Sequence, residues 1–347
     1  MTKKLDIKNG VVDMTHGSGG RAMAQLIDQM FTAAFQNDLL SEGNDQARLD
    51  VPMIKGRPAR LSYSTDTFVV SPLFFPGGDI GSLAVHGTVN DVALSGAKPL
   101  WLSAGFILEE GFPLFDLDRI VKSMAVAARA CGVSIVTGDT KVVEKGKADG
   151  VFINTSGIGA LDPALDLSVC HIQAGDAILL SGPLGDHGVA VMGCRENLQF
   201  EEAVLSDSAP LNGLVEAMVA SGCEIHAMRD PTRGGLATAL NEMAAATSLG
   251  MRIYEKDIPV RPAVRGVCEL LGLDPLYVAN EGRLIAFCPA PQAETLLRAM
   301  RGVEVGKDSV LIGHVVEDKN HFVEMETAFG SSRMVDWLVG EQLPRIC

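Results

Sequence analysis

The chain has no Cys-x-x-Cys pair: its seven cysteines (Cys131, Cys170, Cys194, Cys223, Cys268, Cys288 and Cys347) stand singly and are odd in number. That excludes a zinc knuckle and predicts reduced thiols. No run of Lys and Arg occurs, and 43 acidic against 29 basic residues leave a net charge of −14. Nonspecific nucleic-acid binding is therefore excluded. No apolar run follows the charged start Met1-Thr2-Lys3-Lys4, and none elsewhere is long enough to span a bilayer, so the expected location is cytoplasmic and off the membrane. Repeats of 20 to 50 residues and low-complexity tracts are also lacking.

What is present is alternation. At 347 residues the chain exceeds the usual growth limit of one core, so two domains are expected. Strand patterns at 59–64 and 68–70 flank Thr65-Asp66-Thr67, and a helix over 80–94 closes at Ser95-Gly96. A strand over 99–108, a helix over 116–130 stopped by Gly132, and strands at 133–137 and 151–156 complete one unit. Asp176 to Leu180 opens a second, with helices at 187–195, 210–221 and 235–249 and strands near 251–254, 284–288 and 310–315. The expectation is an α/β (α+β) chain divided into a glycine-bearing segment over 1–50, domains over 51–165 and 166–325, and a flexible tail over 326–347.

Polar islands punctuate this text. His16-Gly17-Ser18-Gly19-Gly20-Arg21 precedes a helical stretch from Ala22 to Phe35 and can aim backbone N–H groups at phosphate; it is not a Walker A loop, and a plain linker is the other reading. Asp66, Asp91 (after Asn90) and Asp139 (before Thr140 and Lys141) each sit at the end of, or interrupt, an apolar element. Carboxylates so placed suit Mg²⁺, or else cap turns. His86 and Asn90 share a helix face with Asp91 beside them, a cluster too costly to bury without partners. Lys141 can neutralise transferring phosphate, or be a surface lysine. Arg229-Asp230-Pro231-Thr232-Arg233-Gly234-Gly235 reads as an anion-handling turn or a structural one, and Glu281, before a buried strand, as a general base or an inert loop charge.

The chain ends in Leu343-Pro344-Arg345-Ile346-Cys347. Pro344 cannot continue a helix, so residues 342–347 read as an extended arm, which from Trp337 can sweep roughly 35 Å. Prenylation needs a cysteine four residues from the end. A frayed surface thiol or a tethered acceptor group remain for Cys347.

Taken together, the motifs at 16–20, Asp66, 87–93, 138–141, 181–188, 229–235 and 280–282 resemble the PurM-like superfamily of aminoimidazole ribonucleotide synthetase, and the closing Pro-Arg-Ile-Cys is similar to the HypE family of hydrogenase maturation factors within it. The resemblance implies a two-domain PurM-like fold, a homodimer joined through an N-terminal β-barrel, and ATP with Mg²⁺ as cofactors. It implies an ATP-dependent carbamoyl dehydratase: a HypF carbamoyltransferase loads Cys347, the thiocarboxamide is dehydrated to a thiocyanate, and a HypC–HypD complex takes the cyano group for the iron of [NiFe] hydrogenase. On that basis Gly17, Ser18, Gly19, Gly20, Asp66, Asn90, Asp91, Asp139 and Thr140 are assigned to nucleotide, Asp66, Asp91 and Asp139 to metal, and Cys347, Lys141, Glu281 and His86 to catalysis. The alternative is a small-molecule kinase or synthetase of the same superfamily. Selenophosphate synthetases keep a reactive residue by the glycine loop, where this chain has no cysteine before Cys131.

Overall fold

The computed structural model describes residues 5–18, 20–41, 46–198, 203–338, 340 and 345–347. Two mixed sheets organise it. The first is built from β1 (Arg60–Phe68), β2 (Lys98–Glu109), β3 (Ser134–Val143) and β4 (Val151–Leu161), in the order β1-β4-β2-β3, with only β2 and β3 parallel. Ser62, Ser64, Asp66 and Phe68 point to one face of β1 and Leu61, Tyr63, Thr65 and Thr67 to the other, as the period of two requires. Thr65-Asp66-Thr67 is thus mid-strand and not a turn between two strands, because β-branched threonines suit a pleated surface.

Helices α1 (Ile80–Leu94) and α2 (Leu114–Cys131) cover the inner face of this sheet. Asp79 caps α1, its carboxylate accepting from the N–H groups of Gly81 and Ser82 while Ser82 answers through its hydroxyl. Twelve of the 15 residues of α1 are buried, so it is a core helix, and Ser82, His86, Thr88, Asn90 and Asp91 are its polar residues. The outer face of the sheet carries Leu61, Tyr63 and Ile107 at 51%, 66% and 43% exposure.

Seven strands form the second sheet, running β6-β8-β5-β9-β7-β10-β11. They are β5 (Asp176–Leu180), β6 (Ala227–Arg229), β7 (Gly250–Tyr254), β8 (Ile285–Pro289), β9 (Val310–Val316), β10 (Val323–Glu326) and β11 (Ser332–Met334). All neighbours are antiparallel except β7 and β10. The sheet reaches past residue 325, since Ser332–Met334 pairs with β10 and Val335 is buried. Helices α3 (Asp186–Arg195), α4 (Asn212–Ala220), α5 (Gly235–Thr247), α6 (Pro262–Leu271) and α7 (Ala293–Arg301) pack about it. Among the described residues no helix is long and apolar enough to cross a membrane.

The last three residues are not a free arm. Ile346 is 2% exposed and belongs to the core of the first unit, beside Val191 and Ala279. Residues 342–344, on which the extended reading rested, lie outside the described residues.

Candidate active site

A cavity of 590 Å³ opens where the edge strand β1 and helix α1 meet the second unit. Asp66 and Asp91 line it from the first unit, Arg229, Asp230, Arg233 and Glu281 from the second, and Cys347 from the docked tail. Strand alternation delivers Asp66 to the inner face, where its carboxylate accepts from the Thr67 N–H at 2.8 Å. Asp91 accepts from the Ser64 hydroxyl at 2.8 Å.

Burial sets the electrostatics. It raises the proton affinity of Asp66, and raises that of Asp91, which neighbouring Asp66 raises further. Asp230 is pushed up to about 7, by burial and then by Asp91. Glu281 is raised well above the usual carboxylate range by burial and by Asp230, and its Oε1 is buried without a hydrogen-bond partner. The Cys347 thiol is pushed up by burial and by Glu281. Burial and mutual repulsion thus raise the proton affinity of the acids in the set, and positive charge entering the cavity would lower it.

The other expected site residues divide. Asn90 is committed to protein: its amide donates to Ala209 O at 3.0 Å and Glu281 O at 3.3 Å and accepts from Leu211 N at 2.7 Å, stitching α1 to the second unit. His86 does not line the cavity; its Nδ1 meets the Ser208 hydroxyl at 3.0 Å, and burial lowers its pKa to about 4, so the ring is neutral.

Asp139 and Lys141 stand elsewhere. Asp66 is registered to Thr155, Ala104 and Gly138 across the sheet, so Asp139, one residue on, points to the opposite face. Three strand spacings separate the two levels, about 14 Å. Within one chain, Asp66 and Asp91 therefore stand together and Asp139 stands apart from them. Among the described residues no three His, Cys, Asp or Glu side chains converge to hold a metal by themselves. Lys141 Nζ pairs with Asp139 at 2.9 Å, both largely exposed, and Thr140 is buried. Gly17 packs on Val142, where a Cβ would come within 2.9 Å of the strand, so Gly17 belongs with the strand of Asp139, while Ser18 closes the turn over Met14–Gly17 and Gly20 precedes the helix Arg21–Leu26. Gly19 lies outside the described residues.

Sequence reasoning passed over the residues that seat the tail. Val69 N–H donates to Cys347 O at 3.2 Å and Ser71 N–H to Arg345 O at 3.1 Å. Arg195 donates to Arg345 O at 3.0 Å, and His187 Nε2 meets Ile346 O at 2.8 Å. The Arg345 guanidinium reaches Val69 O at 3.1 Å and pairs with Asp149. Of these only His187 stood inside a noted motif, and its burial is a tertiary fact.

Two family models match the chain: AIR synthase related protein, N-terminal domain, over residues 43–161, and AIR synthase related protein, C-terminal domain, over 173–326. The carbamoyl dehydratase HypE of Azotobacter vinelandii is 61% identical over 99% of both chains. A crystal structure of the hydrogenase maturation protein HypE in complex with ATP is 49% identical, covers 96% of this chain and 99% of its own, and superposes with a TM-score of 0.91. HypE in a crystal structure of a HypE–HypF complex is 48% identical over 90% of this chain and 99% of that one, with a TM-score of 0.78. The chain belongs to the HypE family, built from the two AIR synthase related domains.

Proposed function

We infer that this protein is an ATP-dependent carbamoyl dehydratase that acts on a carbamoyl group carried by its own Cys347. The observation that carries the reading is the position of the Cys347 thiol, in one cavity with Asp66, Asp91, Asp230 and Glu281. A small-molecule kinase would leave that docked thiol without a role.

The chemistry balances without a redox partner. A carbamoyltransferase of the HypF kind, in line with the solved HypE–HypF complex, loads the thiol as S–C(=O)–NH₂. The γ-phosphoryl group of ATP passes to the amide oxygen as one N–H proton leaves, giving S–C(OPO₃)=NH and ADP. Loss of the second N–H proton expels phosphate and forms S–C≡N, so the oxygen of the lost water ends in phosphate. Glu281 is the base we assign to these protons: a carboxylate with raised proton affinity, beside Cys347, is a stronger base than an exposed one. The neutral ring of His86 lies outside the cavity and is left a supporting part.

The donor set fits a hard divalent cation such as Mg²⁺. Asp66 and Asp91 are oxygen ligands whose mutual repulsion a cation relieves, and phosphate and water would complete the shell. When bound, the ion neutralises phosphate charge. Arg233, at the same cavity, can meet phosphate oxygens, whereas Arg229 is paired with Glu242 at 2.6 Å.

The exposed apolar outer face of the first sheet fits closure against a second copy as a homodimer. Asp139 and Lys141 share that face, so their contact with nucleotide would come through such a dimer. A HypC–HypD complex is the acceptor we assign for the cyano group.

Intact-protein mass after incubation with HypF, carbamoyl phosphate, Mg²⁺ and ATP tests the reading. A carbamoyl adduct that loses the mass of one water is expected in the wild type, an adduct that persists in Glu281→Gln, and no adduct in Cys347→Ala. ATP consumed with Cys347 unmodified would move the protein to the small-molecule kinases.

A further inference from the structure

Residues 206–208, Ser-Asp-Ser, cross from the second unit to the first and touch three parts of the site at once. Ser206 Oγ meets His187 Nδ1 at 2.8 Å. Asp207 accepts from the N–H groups of Glu281 and Gly282, both at 3.2 Å. Ser208 Oγ meets His86 at 3.0 Å, and Ser206 N–H is anchored on Pro76 O at 2.8 Å. The approach to the Glu281 loop is close, since a Cβ on Gly282 would fall 1.8 Å from Asp207 O.

The hydrogen-bond directions follow from the partners. Ile346 O can only accept, so His187 carries its proton on Nε2 and its Nδ1 accepts from the Ser206 hydroxyl. Ser206 Oγ in turn accepts from the Ser208 N–H at 3.0 Å. His187 is fully buried and stacks edge-on to Phe75, with 5.4 Å between ring centroids, which fixes the ring plane.

We propose that His187 is a positioning residue for the dehydration step: through Ile346 O it latches the tail, and through Ser206 and Asp207 the same strap holds the Glu281 loop, so that thiol and base are aligned by one element. The bonds from His187, Arg195, Val69 and Ser71 all go to main-chain oxygens of the tail, and none of them to the Cys347 side chain. The latch therefore holds Cys347 equally well free or carbamoylated, and it acts after loading, once the tail has come back from the carbamoyltransferase. The proposal rests on the dehydratase reading for its consequence and on the structure alone for the latch.

Two readouts on full-length protein separate these. The first is the alkylation rate of Cys347 by iodoacetamide, with the other cysteines resolved by peptide mapping. The docked thiol is half-buried at the cavity wall and reacts more readily once the tail leaves, and losing one buried hydrogen bond shifts that equilibrium by up to roughly five- to thirtyfold. His187→Ala is expected to speed alkylation by that factor and to slow single-turnover loss of water from carbamoylated Cys347 at least as much, with the extent of loading by HypF unchanged. His187→Gln, whose amide N–H can reach Ile346 O, is expected to restore both rates in large part. Ser206→Ala tests the strap if His187→Ala does not fold, and should slow dehydration more than it frees the tail.

Alkylation unchanged in folded His187→Ala, or unchanged in Ser206→Ala together with unchanged dehydration, overturns the proposal. So does faster alkylation with dehydration at the wild-type rate. If wild-type carbamoylated Cys347 never loses water, the dehydratase reading fails instead, and alkylation alone still decides the latch.

Discussion

Asp230 should destabilise the nucleotide-free protein at neutral and alkaline pH, and Asp230→Asn should relieve that cost. Its carboxyl group is raised from 3.8 to about 7 by burial and by Asp91. Between those values the folded chain keeps a proton that the unfolded chain has lost, so stability falls as pH rises from about 4 to about 7, and the full penalty stands above 7. Three pH units correspond to about 4 kcal/mol at 1.36 kcal/mol each, and water reaching a half-buried group screens this to about 2 kcal/mol. For a chain of this size that is about 4 °C in Tm. Thermal melts without nucleotide should show Asp230→Asn about 4 °C above wild type at pH 8, with the gap closing towards pH 4. With ATP and Mg²⁺ the wild type should gain more than the variant, because the carboxylate then meets a cation. A variant that melts below wild type at pH 8, or a gap that does not narrow in acid, would refute the assignment of a charge penalty to this residue.

Ile346→Ala removes three carbon groups from a buried site, about 2.4 kcal/mol at 0.8 each, and should weaken tail docking about fiftyfold. Hydrogen exchange of the Val69 and Ser71 amides, which bond the carbonyls of Cys347 and Arg345, should lose protection accordingly; amides still protected at the wild-type level would mean the tail is held without its apolar anchor. Gly282→Ala forces a Cβ onto the backbone oxygen of Asp207, which no rotamer relieves, and should cost at least about 3 kcal/mol and 6 °C in Tm. A circular-dichroism melt within a degree of wild type would show that the strap can move aside.

The parts of the site that were legible are those where a polar residue breaks an apolar element. Asp91 inside α1 and Glu281 before β8 announce themselves because burying a carboxylate without a purpose is costly, whereas Asp66 reads in the sequence as lying between two strands and the structure sets it within β1. Alternation of strands and helices likewise disclosed two α/β units and most element positions. Faces were harder. Gly138-Asp139-Thr140-Lys141 shows a period of two, yet periodicity alone does not say whether Asp139 or Thr140 looks inward; the answer depends on the register of three strands, and it separates Asp139 from Asp66.

The strap was illegible for a different reason. Ser206, Asp207 and Ser208 have no periodicity, and the groups they meet lie 19, 74 and 122 residues away in the chain. Short polar residues between elements read as loop in any sequence, because the same side chains serve turns through local hydrogen bonds. What distinguishes these three is that their partners are buried or half-buried: a ring that holds the tail, the N–H groups of the base's loop, and a ring on the core helix. The tail is illegible in the same sense. Apart from the Arg345 guanidinium on Val69 O and Asp149, its Arg-Ile-Cys is held through main-chain oxygens, which every sequence possesses, while the one apolar side chain between them supplies the burial that makes those bonds form away from water.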